Sequence, residues 1–263
     1  MNATSIEKAS EVLAAARIDG EVIQALDPAL RPSNEVEAYK IQDCLHKILE
    51  DQDRGSVIGY KIGCTTSIMQ KFLGISNPCA GSILQSDLHN NKGNFLHSSF
   101  QHVGVECEIA VRLKVPLGIG CAIPRLEEMS NSVASVLPAI EVVDDRYQNY
   151  ELLGAPTLIA DDFFHSACVV GDGISSWTHS ELGSLRGVMT INGTVAGSGV
   201  GHDIMGHPLA ALQWIAELFE AQGKLIEPGQ VVLLGSVVET KWVKEGDTVQ
   251  VDIDQLGRVE AQF

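Results

Sequence analysis

Positive charge is scarce in this chain: 18 lysines and arginines stand against 34 aspartates and glutamates over 263 residues, a formal net charge of −16 at pH 7. Nucleic acids and anionic membrane surfaces select for basic patches, and no Lys/Arg cluster occurs. The expected partners are therefore small molecules or other protein chains, not nucleic acid or membrane. Long apolar runs are also missing, and none approaches the ~20 residues of a membrane span. The opening MNATSIEKAS has neither a basic stretch nor an apolar one of signal-peptide kind, so a cytoplasmic protein is expected. The six cysteines (Cys44, Cys64, Cys79, Cys107, Cys121, Cys168) include no C-x-x-C pair. Scattered through apolar segments, they read as buried free thiols of a reducing compartment. Neither H-E-x-x-H nor G-x-S-x-G is present, which weighs against zincin and serine hydrolase chemistry. The glycine-rich GSGVGHD fails G-x-G-x-x-G because His202 takes the place of the final glycine.

What is present divides the chain into an N-terminal helical region, residues 1–55, and a strand-rich catalytic domain, residues 56–263. Thr4 with Glu7 suggests a capping box, and Ile6, Ala9, Val12, Leu13 and Ala16 follow a helical stripe. After the break at LDPALRPS, Asn34 caps a second helix with Glu35 and Glu37 in its first turn, and Val36, Leu45, Ile48 and Leu49 are candidates for its inner face. VIGYKIG, from Val57, alternates as a strand; TSIMQKFLG reads as a short helix closed by Gly74, and NPCAGSIL as a turn leading into a strand. LPAIEVVD and SACVVGDGI are β-branched strand candidates. Asn192-Gly193 signals a hairpin, a helix runs from Pro208 to near Gly223, and three strands finish the chain. The succession predicts an α+β fold with a curved or sandwiched sheet rather than a doubly wound parallel one.

The stretch VGVECEIAVRL carries the main chemical signal. In an extended chain Glu106 and Glu108 share one face, their Cα atoms roughly 7 Å apart, with Gly104 and Ala110 leaving room beside them. Such a pair is either the solvated side of a half-buried strand or half of a cation site. Glu141, in the apolar strand LPAIEVVD, is a third acid of the same kind. Three converging carboxylates favour a hard divalent ion. Lys61 shares a strand face with Gly59 and Gly63, so a ligand can approach it closely. It is either a lysine snorkelling from a sheet edge or a cation for a substrate carboxylate or an enolate oxygen.

Taken together, GYKIGCTTSIMQKFLGISNPCAGSIL, VGVECEIAVRL, LPAIEVVDDRY, TLIADDFFHSACVVG and HPLAALQWIAELFEAQGKLIEPGQVVLLGSVVET resemble the 2-keto-4-pentenoate hydratase family, within the fumarylacetoacetate hydrolase superfamily. The resemblance implies a mixed β-roll with helices around it and a homo-oligomer. It also implies a Mg²⁺ or Mn²⁺ site made by Glu106, Glu108 and Glu141, with Lys61 as an active-site residue and Ser236 at a substrate-contact position. The implied reaction is water addition to a 2-hydroxydienoate, by way of a 2-oxo-3-enoate, to give a 4-hydroxy-2-oxo acid. Decarboxylation of a 2-oxo acid and C–C hydrolysis use the same enolate, and an inactive assembly paralogue is the non-enzymatic alternative. Two departures stand out. Cys79 occupies a position often acidic in hydratases, and a familiar A-D-N followed by small residues appears as ADDFFHSA, with Asp162 in place of the amide. Asp162 is then a candidate catalytic group that compensates for the acid missing at Cys79, itself a candidate substrate contact. Phe163 and Phe164 are then either core residues or the walls of a more apolar substrate pocket.

Overall fold

Helix α1 (Ala3–Asp19) is opened by Asn2, whose side-chain oxygen accepts the Ser5 N–H, and closed by Gly20 in the left-handed conformation. The cap therefore lies two residues before Thr4, and the Thr4/Glu7 box expected from the sequence does not form. Helix α2 (Glu35–Leu49) starts where expected, with Asn34 accepting the Glu37 N–H. The two helices pack on each other, with the Ser10 hydroxyl of α1 donating to the Ile41 carbonyl of α2 at 3.0 Å, and they bury Ala9, Leu13 and Ala14 of α1 and Ala38, Ile41, Leu45 and Leu49 of α2. Val12 and Val36 are 45% and 66% exposed; each lies off the buried stripe of its helix, contrary to the inward positions the sequence suggests. The structure is a computed structural model that describes residues 1–23 and 25–263, and the side chains of Ile68, Phe72, His179 and Ser180 are outside the description. Among the described residues, no helix is long and apolar enough to cross a membrane.

The strands are β1 (Val57–Gly63), β2 (Cys79–Leu84), β3 (Leu88–Asn90), β4 (Lys92–Asn94), β5 (Val103–Leu113), β6 (Leu117–Gly118), β7 (Val133–Asp144), β8 (His165–Val170), β9 (Arg186–Ile191), β10 (Thr194–Val200), β11 (Leu225–Ile226), β12 (Val231–Trp242), β13 (Thr248–Ile253) and β14 (Gly257–Gln262). Four further helices are α3 (Ser67–Leu73), α4 (Ala155–Ala160), α5 (His179–Leu182) and α6 (Pro208–Gln222). A seven-stranded sheet has the order β2-β1-β12-β5-β7-β8-β3 and a five-stranded sheet the order β10-β9-β13-β14-β4. Both are mixed: β1/β12, β3/β8 and β4/β14 are parallel, the other pairs antiparallel. Asn192 and Gly193, both at positive φ, turn β9 into β10 as the hairpin signal predicts.

The large sheet is buried on both faces. Val105, Cys107 and Ile109 of β5 belong to one core with Val249, Val251 and Val259 of the small sheet. On the opposite face Ala110 packs with Ile83 from β2 and Cys168 and Val170 from β8. Strands near the two ends of the sheet share this second core, so the sheet curls into a roll. Its interior is the face that carries Glu106 and Glu108, and this answers why both faces of an alternating strand leave the solvent. Gln42 of α2 closes the N-terminal helices onto the roll, donating to the carbonyls of Ala80 at 3.0 Å and Ile159 at 2.7 Å.

Candidate metal centre and cavity

Strands β5 and β7 pair in the register that sets Glu106 directly opposite Glu141 and Glu108 opposite Ala139. One oxygen from each of Glu106, Glu108 and Glu141 lies within 4.8 Å of the others. Like charges facing each other across a strand pair are unfavourable, and here they are also shielded from water: Glu108 and Glu141 are each 1% exposed. Burial, then the repulsion of Glu141, pushes the Glu106 carboxyl up to about 7. Burial and both neighbouring glutamates raise Glu108 well above the usual range. Glu141 goes the other way, because the Lys61 ammonium and a hydrogen bond from His165 outweigh its burial.

The surroundings fix each carboxylate. Thr240 donates its hydroxyl to Glu106. The Gly235 N–H donates to Glu108 at 2.7 Å; a Cβ at Gly235, whose φ is +137°, would meet the Thr65 hydroxyl at 2.7 Å, so glycine is required for this approach. His165 Nδ1 lies 2.8 Å from Glu141 Oε1, and since a carboxylate only accepts, Nδ1 carries the hydrogen. Its Nε2 is buried with no hydrogen-bond partner among the described residues. A ligating carboxylate oriented by an outer hydrogen bond is the usual construction of a metal site. Three hard oxygen donors facing a single ammonium leave a negative excess that suits a divalent cation.

Lys61 is 2% exposed. Its ammonium donates to the Phe163 carbonyl at 2.7 Å and sits 3.4 Å from Glu141 Oε1. Burial disfavours its charge, but Glu141 first and Glu106 next overcome that, so the ammonium is held more firmly than usual. Gly81, its partner on β2, leaves the space: a Cβ there would meet the Asp162 carbonyl at 2.8 Å and Lys61 Cε at 3.1 Å.

A cavity of about 340 Å³ opens beside this cluster, reached by Lys61 and Glu106, while Glu108 and Glu141 lie buried behind its lining. Lys61, Glu106, Ser236, Phe163 and Phe164 line it. The Ser236 hydroxyl is already engaged, donating to the Val238 carbonyl at 2.6 Å and accepting the Cys107 N–H at 3.1 Å.

Asp162 and Cys79 are placed elsewhere. The Asp162 carboxylate points away from the cavity, to His46 Nε2 at 2.8 Å, the Ser82 N–H at 2.9 Å and Arg17 at 3.0 Å. Despite burial, His46 and then Arg17 hold it far below the usual carboxylate range. It begins a turn in which Asp162, Phe163 and Phe164 all have positive φ, of 56°, 50° and 68°, rare for bulky side chains. Asp162 thus anchors the strained turn whose carbonyl receives Lys61, and it is not in reach of a substrate. Cys79 is 0% exposed at the start of β2 and does not line the cavity. A hydrogen bond from its thiol to Cys64, and then burial, raises that thiol well above the usual range. An acid that Cys79 replaces would lie in the core, off the cavity wall.

Several site groups carry no signal in the sequence. His165 is a lone histidine; only the β7/β8 register, which pairs it with Val143, brings it beside Glu141. Thr240 and Trp242 reach the cavity from β12, and Tyr150, Met69 and Asp203 each from a different element. Beneath the turn, Asp161 is enclosed by Arg17, by Arg146 at 2.9 Å and by the Tyr147 hydroxyl at 2.7 Å, tying α1 to the wall of the site.

The fumarylacetoacetate hydrolase C-terminal family matches residues 85–263. A 4-oxalocrotonate decarboxylase of Pseudomonas putida is 30% identical over 229 residues, 86% of this chain and 84% of its own. A 2-keto-4-pentenoate hydratase of Dechloromonas aromatica is 28% identical over 262 residues, 98% of this chain and 97% of its own. The solved 4-oxalocrotonate decarboxylase of Pseudomonas putida G7, complexed with magnesium and adipate, superposes with a TM-score of 0.92 at 25% identity, covering 100% of this chain and 98% of that one. Together with the cluster of three glutamates and the mixed roll, these matches place the chain in the fumarylacetoacetate hydrolase family.

Proposed function

We propose that this protein is a divalent-metal-dependent hydratase. It adds water to a 2-hydroxy-2,4-dienoate to give a 4-hydroxy-2-oxo acid, with Glu106, Glu108 and Glu141 holding Mg²⁺ or Mn²⁺. The observation that carries the reading is the Glu106–Glu141 pair facing across β5/β7, with Glu108 alongside and Lys61 3.4 Å from Glu141; Glu106 and Lys61 bring this cluster to the wall of an open cavity. Likeness to 2-keto-4-pentenoate hydratases over 98% of the chain supports the reaction type. A divalent ion bound there supplies Lewis-acid charge that favours an enolate of a 2-oxo acid.

The chain's own groups supply the rest. The Lys61 ammonium, fixed by the Phe163 carbonyl and Glu141, presents a positive charge where the dienolate develops its negative one. In the first half-reaction the enol hydrogen leaves and a proton arrives at C5, giving a 2-oxo-3-enoate. In the second, the oxygen of water bonds to C4 and a proton adds at C3. His165 holds Glu141 in place and Thr240 holds Glu106, so the carboxylates do not have to reorganise as charge moves.

Decarboxylation is the second reading, favoured by the 30% identity to one decarboxylase and the 0.92 TM-score to another. There the same enolate receives its electrons from a breaking C–C bond with loss of CO₂. One screen separates them: 2-hydroxypenta-2,4-dienoate, a 2-oxo-3-enedioate and an acylpyruvate, each with Mg²⁺ or Mn²⁺, with products identified by mass. Gain of one water from the dienoate is the expected result; CO₂ loss or C–C cleavage as the only turnover overturns it.

A further inference from the structure

The glutamate cluster with Lys61 accounts for the head of a 2-oxo acid, but the upper walls of the cavity are chemically different. Met69, Leu73, Tyr150, Phe164, Val238 and Trp242 surround the space above Lys61. The rings are held by one another: Phe164 meets Tyr150 edge-on at 5.3 Å, Phe163 at 5.4 Å and Tyr147 at 5.6 Å, and Trp242 stacks on His102 at 3.9 Å. Among the described residues that line the cavity, Lys61 is the one lysine or arginine, while Asp203 and Glu239 are acidic. Lys241, near the rim, pairs with Glu239 at 3.7 Å and does not line the space.

We propose that the site selects 2-oxo or 2-hydroxydienoic monocarboxylates whose distal end is a hydrocarbon or aromatic group, and that it rejects a second, distal carboxylate. The inference rests on the 2-oxo acid reading above and deepens it. At about 340 Å³ the cavity falls in the range that accommodates drug-sized ligands, ~300–1,000 Å³, more than a five-carbon acid fills. A distal carboxylate among these rings loses its water and finds no free cation: Asp203 accepts the Val200 N–H at 2.8 Å, and Glu239, open to solvent, already holds Lys241. A phenyl or alkyl group there buries its surface against rings that are already ordered. The strained backbone at Phe163 and Phe164 fits the same picture, since such conformations persist where the surroundings hold them for a purpose. The anchor of that turn, Asp162 bound by His46 and Arg17, also keeps Phe164 on the wall.

The test is calorimetric binding to Mn²⁺-loaded protein, which needs no turnover. The ligands share one head group: pyruvate, 2-oxohexanoate, 2-oxo-5-phenylpentanoate and 2-oxoadipate. The phenyl acid should bind roughly tenfold or more tighter than 2-oxohexanoate, and 2-oxoadipate roughly tenfold or more weaker than 2-oxohexanoate. Trp242→Ala, at a residue 48% exposed on the rim and so safe for folding, should narrow the ratio between the phenyl acid and pyruvate by about fivefold or more. Equal or tighter binding of 2-oxoadipate, or a phenyl acid no better than 2-oxohexanoate, overturns the proposal. The product screen reads the reaction separately. The predicted ranking without hydration sinks only the function, and hydration with a reversed ranking sinks only the selectivity.

Discussion

Glu106→Gln should stabilise the metal-free protein, although it alters a group inside the roll. Burial and Glu141 raise the Glu106 carboxyl to about 7 from an ordinary 4.5. At about 1.4 kcal/mol per pH unit, ionising it in the folded chain costs ~3 kcal/mol more than in the unfolded one. The sign follows from the raised value. Below pH 4.5 both states are protonated and no penalty exists; it grows as pH rises to about 7 and is complete above that. Glutamine keeps the shape and still accepts the Thr240 hydroxyl, removes the penalty and relieves Glu108. In EDTA at pH 8 the variant should melt above wild type by roughly 5–10 °C, and the two should converge near pH 4.5. Magnesium at a hundredfold excess over its dissociation constant should then stabilise wild type by about 2.7 kcal/mol and the variant by little, which narrows or reverses the order. Differential scanning fluorimetry across this grid reads both effects. A variant that melts lower than wild type in EDTA at pH 8, or a gap that does not change with pH, would refute the electrostatic account of the site.

Lys61→Met should lower kcat by about a hundredfold or more while weakening 2-oxo acid binding far less, because charge stabilisation is lost as the enolate forms; steady-state kinetics beside calorimetry separates the two, and a loss confined to KM contradicts it. Asp162→Asn should cost ~2–4 kcal/mol in urea unfolding at pH 7, since it leaves His46 without its buried anion and Arg17 with Asp161 alone. It should also lower kcat through Lys61, while a variant of full stability and activity would show the anchor to be idle. Cys79→Asp buries an unpaired carboxylate at a position 0% exposed and should destabilise by ~3 kcal/mol or more. Cys79→Ala should leave kcat within about threefold, roughly 0.65 kcal/mol in barrier, and a larger drop would return the thiol to the mechanism.

How much of this was legible in the sequence differs from residue to residue. Strand alternation puts Glu106 and Glu108 on one face whatever the fold, so that pair is readable from VGVECEIAVRL alone. Glu141 across from Glu106 depends on a register set by the whole β5/β7 pairing, and Lys61 reaches it from β1, separated from β5 by β12. Those distances belong to the sheet order, which no local pattern encodes. The resemblance of motifs stood in for that missing information, but it misplaced the two departures. Asp162 lies in a turn of three consecutive left-handed residues, a conformation that propensity does not predict for Phe163 and Phe164. The helix errors have the same character: Thr4/Glu7 and Asn2 are competing caps, and the Asn2 side chain wins by reaching Ser5. Val12 and Val36 fit a helical period, yet only the partner surface decides which face is covered.

The central claim is that Glu106, Glu108 and Glu141 form one divalent-cation site beneath a 2-oxo acid. Electron paramagnetic resonance of Mn²⁺ titrated into the protein measures this without catalysis. Wild type should bind one Mn²⁺ per chain, with a spectrum that changes when pyruvate is added. Glu108→Gln, at the most enclosed of the raised carboxyls, should lose that binding while retaining its circular dichroism spectrum. Undiminished Mn²⁺ affinity in Glu108→Gln, or a wild-type signal indifferent to pyruvate, would contradict the account.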